Sequence, residues 1–158
     1  MRLTVFVRKF KSSDLEECTR LFHDTVHTVN ARDYNVNQLI AWAPTEINPE
    51  DWLKRLSESI TYVAEYQERI VGFGNLTHSG YFDMLFVHKD FQCKGVAVAI
   101  VKKIIVKAKI LGIKKISSEV SITAKPFCEN FGMRVVCEQV KEYNGATFIN
   151  YVMEGYLS

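Results

Sequence analysis

The chain of 158 residues is 47% hydrophobic and 24% charged, which suits a single soluble domain spanning residues 1–158. Its formal net charge of +2 is too close to neutral for a general nucleic-acid-binding protein. No segment approaches the roughly 18 consecutive apolar residues of a membrane span, so no membrane partner is expected. None of the four cysteines belongs to a C-x-x-C pair, which predicts a reduced, cytoplasmic protein without a zinc or dithiol site.

The first half of the chain predicts a strand, three helices and an antiparallel meander. LTVFVRKF is rich in β-branched and aromatic residues, as strands are. The first helix is expected from about Asp14 to about Ala31, with Ser13 as its N-cap and Glu16 at the capping-box position. Two shorter helices follow, in DYNVNQLIAWAP and NPEDWLKRLSES. Three strands joined by short connections come next, in ITYVAEYQ, RIVGFGNLT and GYFDMLFVH.

The second half predicts a long helix, a further strand, a short helix and a closing hairpin. Apolar residues recur at helical spacing from Val96 to Leu111, and Gly112 is placed to end that helix. KKISSEVS is the next strand, and it can lie parallel to MLFV because a helix connects the two. After a short helix in TAKPFCENFG, the Asn144-Gly145 pair predicts a tight turn between the last two strands. The elements together indicate one domain of mixed α+β type.

One loop, FQCKGVAVAI, has features of an anion site. It lacks the ending of a Walker A loop and the three glycines of a Rossmann fingerprint. It does place Gly95 between a strand and a helix whose first N–H groups have no partners of their own, and such groups can bind a pyrophosphate. The alternative is that Gly95 only lets the chain turn. If the loop is considered by itself, this alternative is favoured.

Two blocks of sequence resemble the GNAT superfamily of N-acetyltransferases. The family's loop pattern, Q/R-x-x-G-x-G/A, is matched by Gln92, Gly95 and Ala97. Its later block, N-x-x-A-x-x-F-Y-x-x-x-G-F, is matched in SITAKPFCENFGM by Ala124, Phe127 and Gly132. The predicted order of elements is also the GNAT order, so the resemblance covers nearly the whole chain. Within the superfamily, DYNVNQLIAWAP, FDMLFV and SITAKPF together resemble the YafP-like bacterial branch.

The resemblance implies a GNAT-type fold, with a central, mostly antiparallel sheet of about seven strands and four to five flanking helices. The fourth and fifth strands, DMLFV and KISSEV, would lie parallel and splay apart at one end. Acetyl-CoA is the implied co-substrate, with its pantetheine arm in that gap, and no metal is expected. The residues expected to bind the coenzyme are Leu85, Phe86, Val87, Gln92, Cys93, Lys94, Gly95, Val96, Ala97, Val98, Ser121 and Phe127.

The implied reaction is direct transfer of the acetyl group from the thioester to a primary amine of a small molecule or peptide. It is helped by a base for the amine, a donor to the carbonyl oxygen and an acid for the departing thiolate. Asp83 is the candidate base, because a carboxylate inside an apolar run is costly unless it is paired or used. Its spacing predicts that it shares the strand face of Val87, whose N–H is the candidate donor. Anchoring a neighbouring loop or helix is the alternative role for Asp83.

The acid is less clearly marked in the sequence. The family often has a Tyr directly after the Phe of the second block, where this chain has Cys128, and Ser121 replaces a frequent Asn. A thiol could donate a proton, and Tyr143 and Tyr151 in the last hairpin are alternative donors. Packing in the core or on a strand is the competing role for each. A non-catalytic acyl-CoA-binding or interaction module on the same fold is therefore the alternative function.

The acceptor site is expected between the first helices and the last hairpin. Polar and aromatic residues cluster there, namely His27, Asn30, Tyr34 and Trp42. For His27 the alternative is a histidine at the border of the apolar helix face. The lysines of the long helix lie opposite its apolar side, which predicts a solvated face rather than contact with nucleic acid. Exposed hairpin edges would allow a homodimer.

Overall fold

The computed structural model describes residues 1–158, and the elements follow the predicted order. The strands are β1 (Phe6–Lys9), β2 (Ile60–Tyr66), β3 (Arg69–Leu76), β4 (Phe82–Val87), β5 (Lys115–Val120), β6 (Arg134–Tyr143) and β7 (Ala146–Tyr156). The helices are α1 (Leu15–Thr28), α2 (Val36–Trp42), α3 (Pro49–Ser57), α4 (Val96–Ile110) and α5 (Lys125–Asn130). These five helices confirm the expected four to five. None of them has both the length and the apolar character that crossing a membrane demands.

The seven strands form two antiparallel sheets, which corrects the expectation of one continuous sheet. The first sheet has the order β1-β2-β3-β4 and the second the order β5-β7-β6. β4 and β5 run parallel where the sheets meet, but a single bridge, between Tyr81 and Ser117, joins them. The expected parallel pair is therefore reduced to this one parallel bridge, which lies at Tyr81, just before β4 begins.

A side chain takes over a hydrogen bond where β4 and β5 stop pairing. The Ser118 hydroxyl donates to the Phe82 carbonyl at 2.6 Å. That carbonyl is thus satisfied without a partner strand, so the two strands can diverge there without the cost of leaving it unpaired.

A β-bulge in β4 changes the direction of one predicted site residue. Asp83 is the extra residue between two pairs that β4 forms with β3. Such an insertion shifts the alternation of side chains along the strand. Met84 packs into the core formed with α1–α3, and Val87 packs toward α4. Asp83 reaches Arg55 of α3, so the prediction that it shares the strand face of Val87 is wrong.

The long helix α4 packs closely on the first sheet. Its core residues Val96, Ile100 and Ile104 are at most 1% exposed. At Gly72 of β3, a Cβ atom would lie only 2.9 Å from Val96 Cγ1. Any larger residue would push the helix away from the sheet. The glycine therefore lets the start of α4 lie directly against the strands that border the gap.

The start of α1 differs from the prediction. The helix begins at Leu15 after a short 3₁₀ turn, and Ser13 does not cap it. The Asp14 carboxylate instead accepts from the Lys11 N–H at 2.9 Å and from Arg8 at 2.8 Å. An ionised acceptor makes stronger hydrogen bonds than a hydroxyl, which explains why the predicted capping box is wrong.

Candidate active site

Backbone groups of β4 face the gap between the sheets. The His88 N–H donates to the Val71 carbonyl at 2.8 Å, which fixes the alternation of this antiparallel pair. Phe86 therefore exchanges its hydrogen bonds with β3, while the backbone groups of Leu85 and Val87 point into the gap. The expectation that all three would offer their backbone to a ligand is thus corrected for Phe86, whose ring packs in the core.

The Val87 carbonyl is already used at the mouth of the gap. Gln92 Nε2 donates to it at 2.6 Å, and Thr25 Oγ1 donates to it at 3.0 Å. Gln92 also lies 3.4 Å from the His88 carbonyl, so it ties the loop to the end of β4. The groups left for a ligand are the Leu85 N–H and carbonyl and the Val87 N–H.

The loop before α4 forms an uncapped helix start. Gly95 has φ +85° and precedes the helix as its N-cap residue, and no side chain hydrogen-bonds to the first turn. Cys93, whose side chain is exposed, also has a left-handed backbone, with φ +58°. Val96 is buried, so it offers the outside only its backbone. The N–H groups of Val96, Ala97 and Val98 therefore carry unbalanced partial positive charge that can hold an anion.

Arg2 also lies at this loop, although no motif or spacing in the sequence singles it out. Its side chain lies over Gly95, where a Cβ atom would fall 2.9 Å from Arg2 Cγ. The neighbouring Leu3 N–H donates to the Lys94 carbonyl at 2.9 Å. The N-terminal segment thus runs along the loop and brings a guanidinium group to it.

Asp83 lies in a network of buried and half-buried polar groups. Arg55 Nε and Nη2 donate to its two oxygens, each at 2.6 Å. Asn75 Nδ2 donates to Oδ2 at 3.3 Å, while Asn75 Oδ1 is fully buried without a donor. The bond to Asp83 raises the pKa of Arg55, although burial acts against this. Nothing in the sequence distinguished Arg55 from the solvent-facing side of α3.

A second ion pair lies on β5 and β6 close to the first. Lys141 Nζ donates to both oxygens of Glu119, at 2.7 and 2.8 Å, and Gln139 Nε2 donates to the same carboxylate at 2.8 Å. Tyr81 lies close enough to both acids to respond to their charge. Burial raises the pKa of Tyr81, and the Glu119 carboxylate adds to that rise. Two acid–base pairs thus lie near Tyr81.

The four residues predicted for the acceptor side do not form one cluster of free groups. His27 Nε2 is 2.7 Å from the Ala43 carbonyl, and its ring lies 4.3 Å from that of His23. Trp42 belongs to an aromatic group with Tyr34 and Phe148. Asn30 is buried beneath α1 and α2, 6% exposed. Of the four, only Tyr34 brings a polar group to the gap, because its hydroxyl accepts from the Ile122 N–H, just after β5, at 2.8 Å.

Residues 30–155 match the family described as the acetyltransferase (GNAT) domain. The chain belongs to the GNAT family of acetyltransferases. It is 33% identical, over 148 residues and 93% of each chain, to YafP of Escherichia coli strain K12, an uncharacterized N-acetyltransferase. The predicted resemblance to the GNAT superfamily and its YafP-like branch is thereby confirmed.

Two solved structures share this GNAT fold. A GCN5-related N-acetyltransferase from Rhodopseudomonas palustris is 25% identical with a TM-score of 0.94, covering 99% of this chain and 98% of that one. The PaiA N-acetyltransferase of Thermoplasma acidophilum, solved in complex with coenzyme A, is 15% identical with a TM-score of 0.76. That match covers 98% of this chain and 100% of the other.

The GNAT chain holds its predicted proton donors in different surroundings. Burial raises the pKa of Cys128 to about 11, and the Glu129 charge adds to the rise, so the thiol is neutral. Tyr143 is half exposed near Arg55. The ring of Tyr151 lies 5.2 Å from Lys125 Nζ.

The remaining predicted coenzyme residues lie after β5. Ser121 Oγ accepts from the Ala124 N–H at 3.1 Å and so supports the start of α5. Phe127 packs against Phe131, with ring centres 5.1 Å apart. Both residues therefore belong to the segment that follows β5, and their assignment to the coenzyme stays a prediction.

Proposed function

We propose that this protein transfers an acetyl group directly from acetyl-CoA to a primary amine of a small molecule or peptide. The observation that carries the proposal is the β4–β5 gap, where backbone groups of Leu85 and Val87 stand free beside the uncapped helix start at Gly95. Free strand groups suit the amides of a pantetheine arm, and free helix N–H groups suit a pyrophosphate.

Coenzyme binding is assigned to two sides of the gap. The pyrophosphate is held by the amides from Cys93 to Val98, with Gln92 framing the loop. Lys94 and Arg2 add positive charge at its edge. Ser121 and Phe127 border the pantetheine from the β5 side.

The proposed step forms one bond and breaks one bond. The amine nitrogen attacks the thioester carbonyl, a C–N bond forms, and the C–S bond breaks. The Val87 N–H, or that of Leu85, donates to the carbonyl oxygen as it gains negative charge. The amine loses a proton to a base, and the coenzyme thiolate takes a proton from an acid.

Asp83 is proposed as the group that receives the amine and takes its proton. Two carboxylate oxygens offer about four acceptor positions, and Arg55 and Asn75 use three of them. One position on Oδ1 is left for an N–H of the acceptor. Arg55 fixes the orientation of the carboxylate. A general base needs such a fixed orientation because it must lie within hydrogen-bonding reach of the proton that it takes.

Tyr34 is proposed as the proton donor to the thiolate, ahead of Cys128 and Tyr143. Burial raises the pKa of Tyr34, which keeps the phenol neutral, although a hydrogen bond from the Ile122 N–H opposes the rise. Because its oxygen accepts that bond, its own proton is free to be donated. Its hydroxyl lies at Ile122, just after β5. In this proposal it serves as the donor instead of the tyrosine that the family often has where this chain has Cys128.

The alternative is a GNAT fold that binds acyl-CoA without catalysis. The observation that favours it is the thiol of Cys128 at the family's tyrosine position. Both proposals require coenzyme binding, and they differ in whether product forms.

The test is turnover of the full-length chain with acetyl-CoA and a panel of primary amines, measuring free thiol and N-acetylated product. The proposal predicts thiol release above background, matched mole for mole by product. Tight coenzyme binding with no product from any amine supports the non-catalytic alternative. Absence of coenzyme binding contradicts both.

A further inference from the structure

Arg55 is fixed in place by two neighbours and still has an unused edge. Asp83 takes its Nε and Nη2 protons, and the guanidinium carbon lies 5.9 Å from the centre of the Trp52 ring. Nη1 makes no hydrogen bond within the protein, and the side chain is 47% exposed. A guanidinium group that is held on one edge offers the other as a preorganised fork for an anion.

The charges around Arg55 match a ligand that carries both signs. The two ion pairs, Arg55 with Asp83 and Lys141 with Glu119, both lie near Tyr81, and their formal charges cancel. A neutral site with separated charges matches a zwitterion better than it matches a simple cation or a dianion, because each end meets an opposite charge.

Asp83 indicates which end of the site takes the amine. Its Oδ2 atom accepts from both Arg55 and Asn75, whereas Oδ1 accepts only from Arg55 and has one acceptor position left. An ammonium or amine donates N–H groups and suits that free position on Asp83.

We propose that the acceptor is an amine that also bears a carboxylate, with the carboxylate on the free edge of Arg55 and the amine at Asp83. This inference rests on the proposed acetyl transfer and adds the substrate class to it. Asp83 holds the Nε–Nη2 edge of the guanidinium, and the free fork, formed by Nη1 and the second proton of Nη2, lies next to it. A short carbon chain between the amine and the carboxylate is therefore enough to reach both.

The experiment compares matched pairs of acceptors. The probes are β-alanine, γ-aminobutyrate and δ-aminovalerate, each against the corresponding primary amide, in which the carboxylate charge is absent. For at least one pair, the wild-type chain is expected to have a kcat/KM for the aminocarboxylate about 10-fold or more above that for the amide. The difference should lie chiefly in KM. One hydrogen bond between charged groups is enough to produce a ratio of this size.

Variants assign that preference to Arg55. Arg55→Met is expected to abolish the ratio between acid and amide, and Arg55→Lys to reduce it, because an ammonium cannot form the fork. Taking the ratio cancels any effect of these changes on Asp83, which acts on both members of a pair. Lys54→Met, an exposed change on the same helix, is the matched control and should keep the wild-type ratio.

Two results would overturn the inference. One is equal kcat/KM for every acid and its amide in the wild-type chain. The other is a loss in Arg55→Met that is shared equally by acids and amides. If no amine at all is acetylated, the proposed function fails instead, and calorimetric binding of the same probes to the protein with coenzyme A decides the inference: binding of an acid but not its amide supports it, and no difference overturns it.

Discussion

The hydroxyl of Ser118 donates to the carbonyl of Phe82 at 2.6 Å at the point where β4 and β5 cease to pair. A side chain there replaces a strand-to-strand bond. Since the carbonyl is satisfied from the side, β5 is free to turn away from β4. The hydroxyl of Ser118 therefore helps to form the gap on which the proposed function depends.

Replacing Gly95 with alanine should weaken coenzyme binding. Its φ of +85° is costly for a residue with a Cβ, and the new methyl group would press on Arg2. Gly95→Ala is expected to raise the Kd of acetyl-CoA by about 10-fold, the effect of losing one charged hydrogen bond. The measurement is calorimetric titration.

Gly112→Ala is the matched control for that change. Gly112 also has a positive φ, +77°, but nothing lies within 4 Å of its Cβ position. Both variants should lose about 1–2 kcal/mol of stability from left-handed backbone strain. If Gly112→Ala weakened coenzyme binding as much as Gly95→Ala, the effect would be strain alone and the loop would lose its assigned role.

Asp83→Asn should abolish most turnover while leaving coenzyme binding intact. The amide cannot take a proton, and it also loses the ion pair with Arg55. A fall in kcat of about 100-fold or more is expected, the usual effect of a general base. Steady-state kinetics over a range of acetyl-CoA concentrations measure kcat and the KM for acetyl-CoA. Asp51→Asn, on the exposed face of α3, should stay near wild type, and an active Asp83→Asn enzyme would remove Asp83 from the mechanism.

Tyr34→Phe and Cys128→Ala distinguish the two proton donors. If Tyr34 protonates the thiolate, its loss should lower kcat by about 100-fold with little change in KM for acetyl-CoA. Cys128→Ala should change kcat little, because in this proposal the thiol acts only as a packed side chain. The reverse order of effects would return the acid role to Cys128.

The pair of Asp14 with Arg8 should make stability depend on acid pH. Burial would raise the pKa of Asp14, but hydrogen bonds from Arg8 and from the Lys11 N–H outweigh it and hold the pKa below its usual value. A carboxyl with a depressed pKa stabilises the fold fully above its unfolded pKa, about 4, and the stabilisation is lost as pH falls through the folded pKa.

Asp14→Asn should therefore cost about 1–3 kcal/mol at neutral pH, because the partly buried Arg8 guanidinium loses one of its two carboxylate partners and keeps only Glu65. The difference from wild type in the free energy of unfolding should shrink below about pH 4. Urea titrations over a pH series measure it. Glu16→Gln is the control. Glu16 pairs with Arg20, but its side chain is 86% exposed, so its loss should have almost no effect on stability. A constant Asp14→Asn deficit at all pH values would contradict this.

The order of elements and the coenzyme loop follow from local sequence. The Asn144-Gly145 turn has the two positive φ values, +48° and +82°, that its residue types favour. The left-handed Gly95 at the helix start is equally local. Such features depend on a few neighbouring residues, so a single sequence specifies them.

The acceptor side depends on contacts between distant segments, and it was predicted less well. The bulge at Asp83 changes the face of a residue whose spacing suggested otherwise. Arg55 lies 28 residues from Asp83 in the chain, and its sequence neighbourhood resembles any exposed helix face. Tyr34 reaches the end of β5 across 88 residues. No periodic pattern records pairings of this kind.

A crystal structure with coenzyme A bound would show whether the β4–β5 gap holds the coenzyme. We expect the pantetheine arm between β4 and β5, hydrogen-bonded to the backbone of Leu85 and Val87, with the pyrophosphate on the N–H groups at the start of α4. We also expect the sulfur on the side of the gap that carries Asp83 and Tyr34. Coenzyme A ordered elsewhere on the molecule, with the gap closed or filled by side chains, would contradict this assignment.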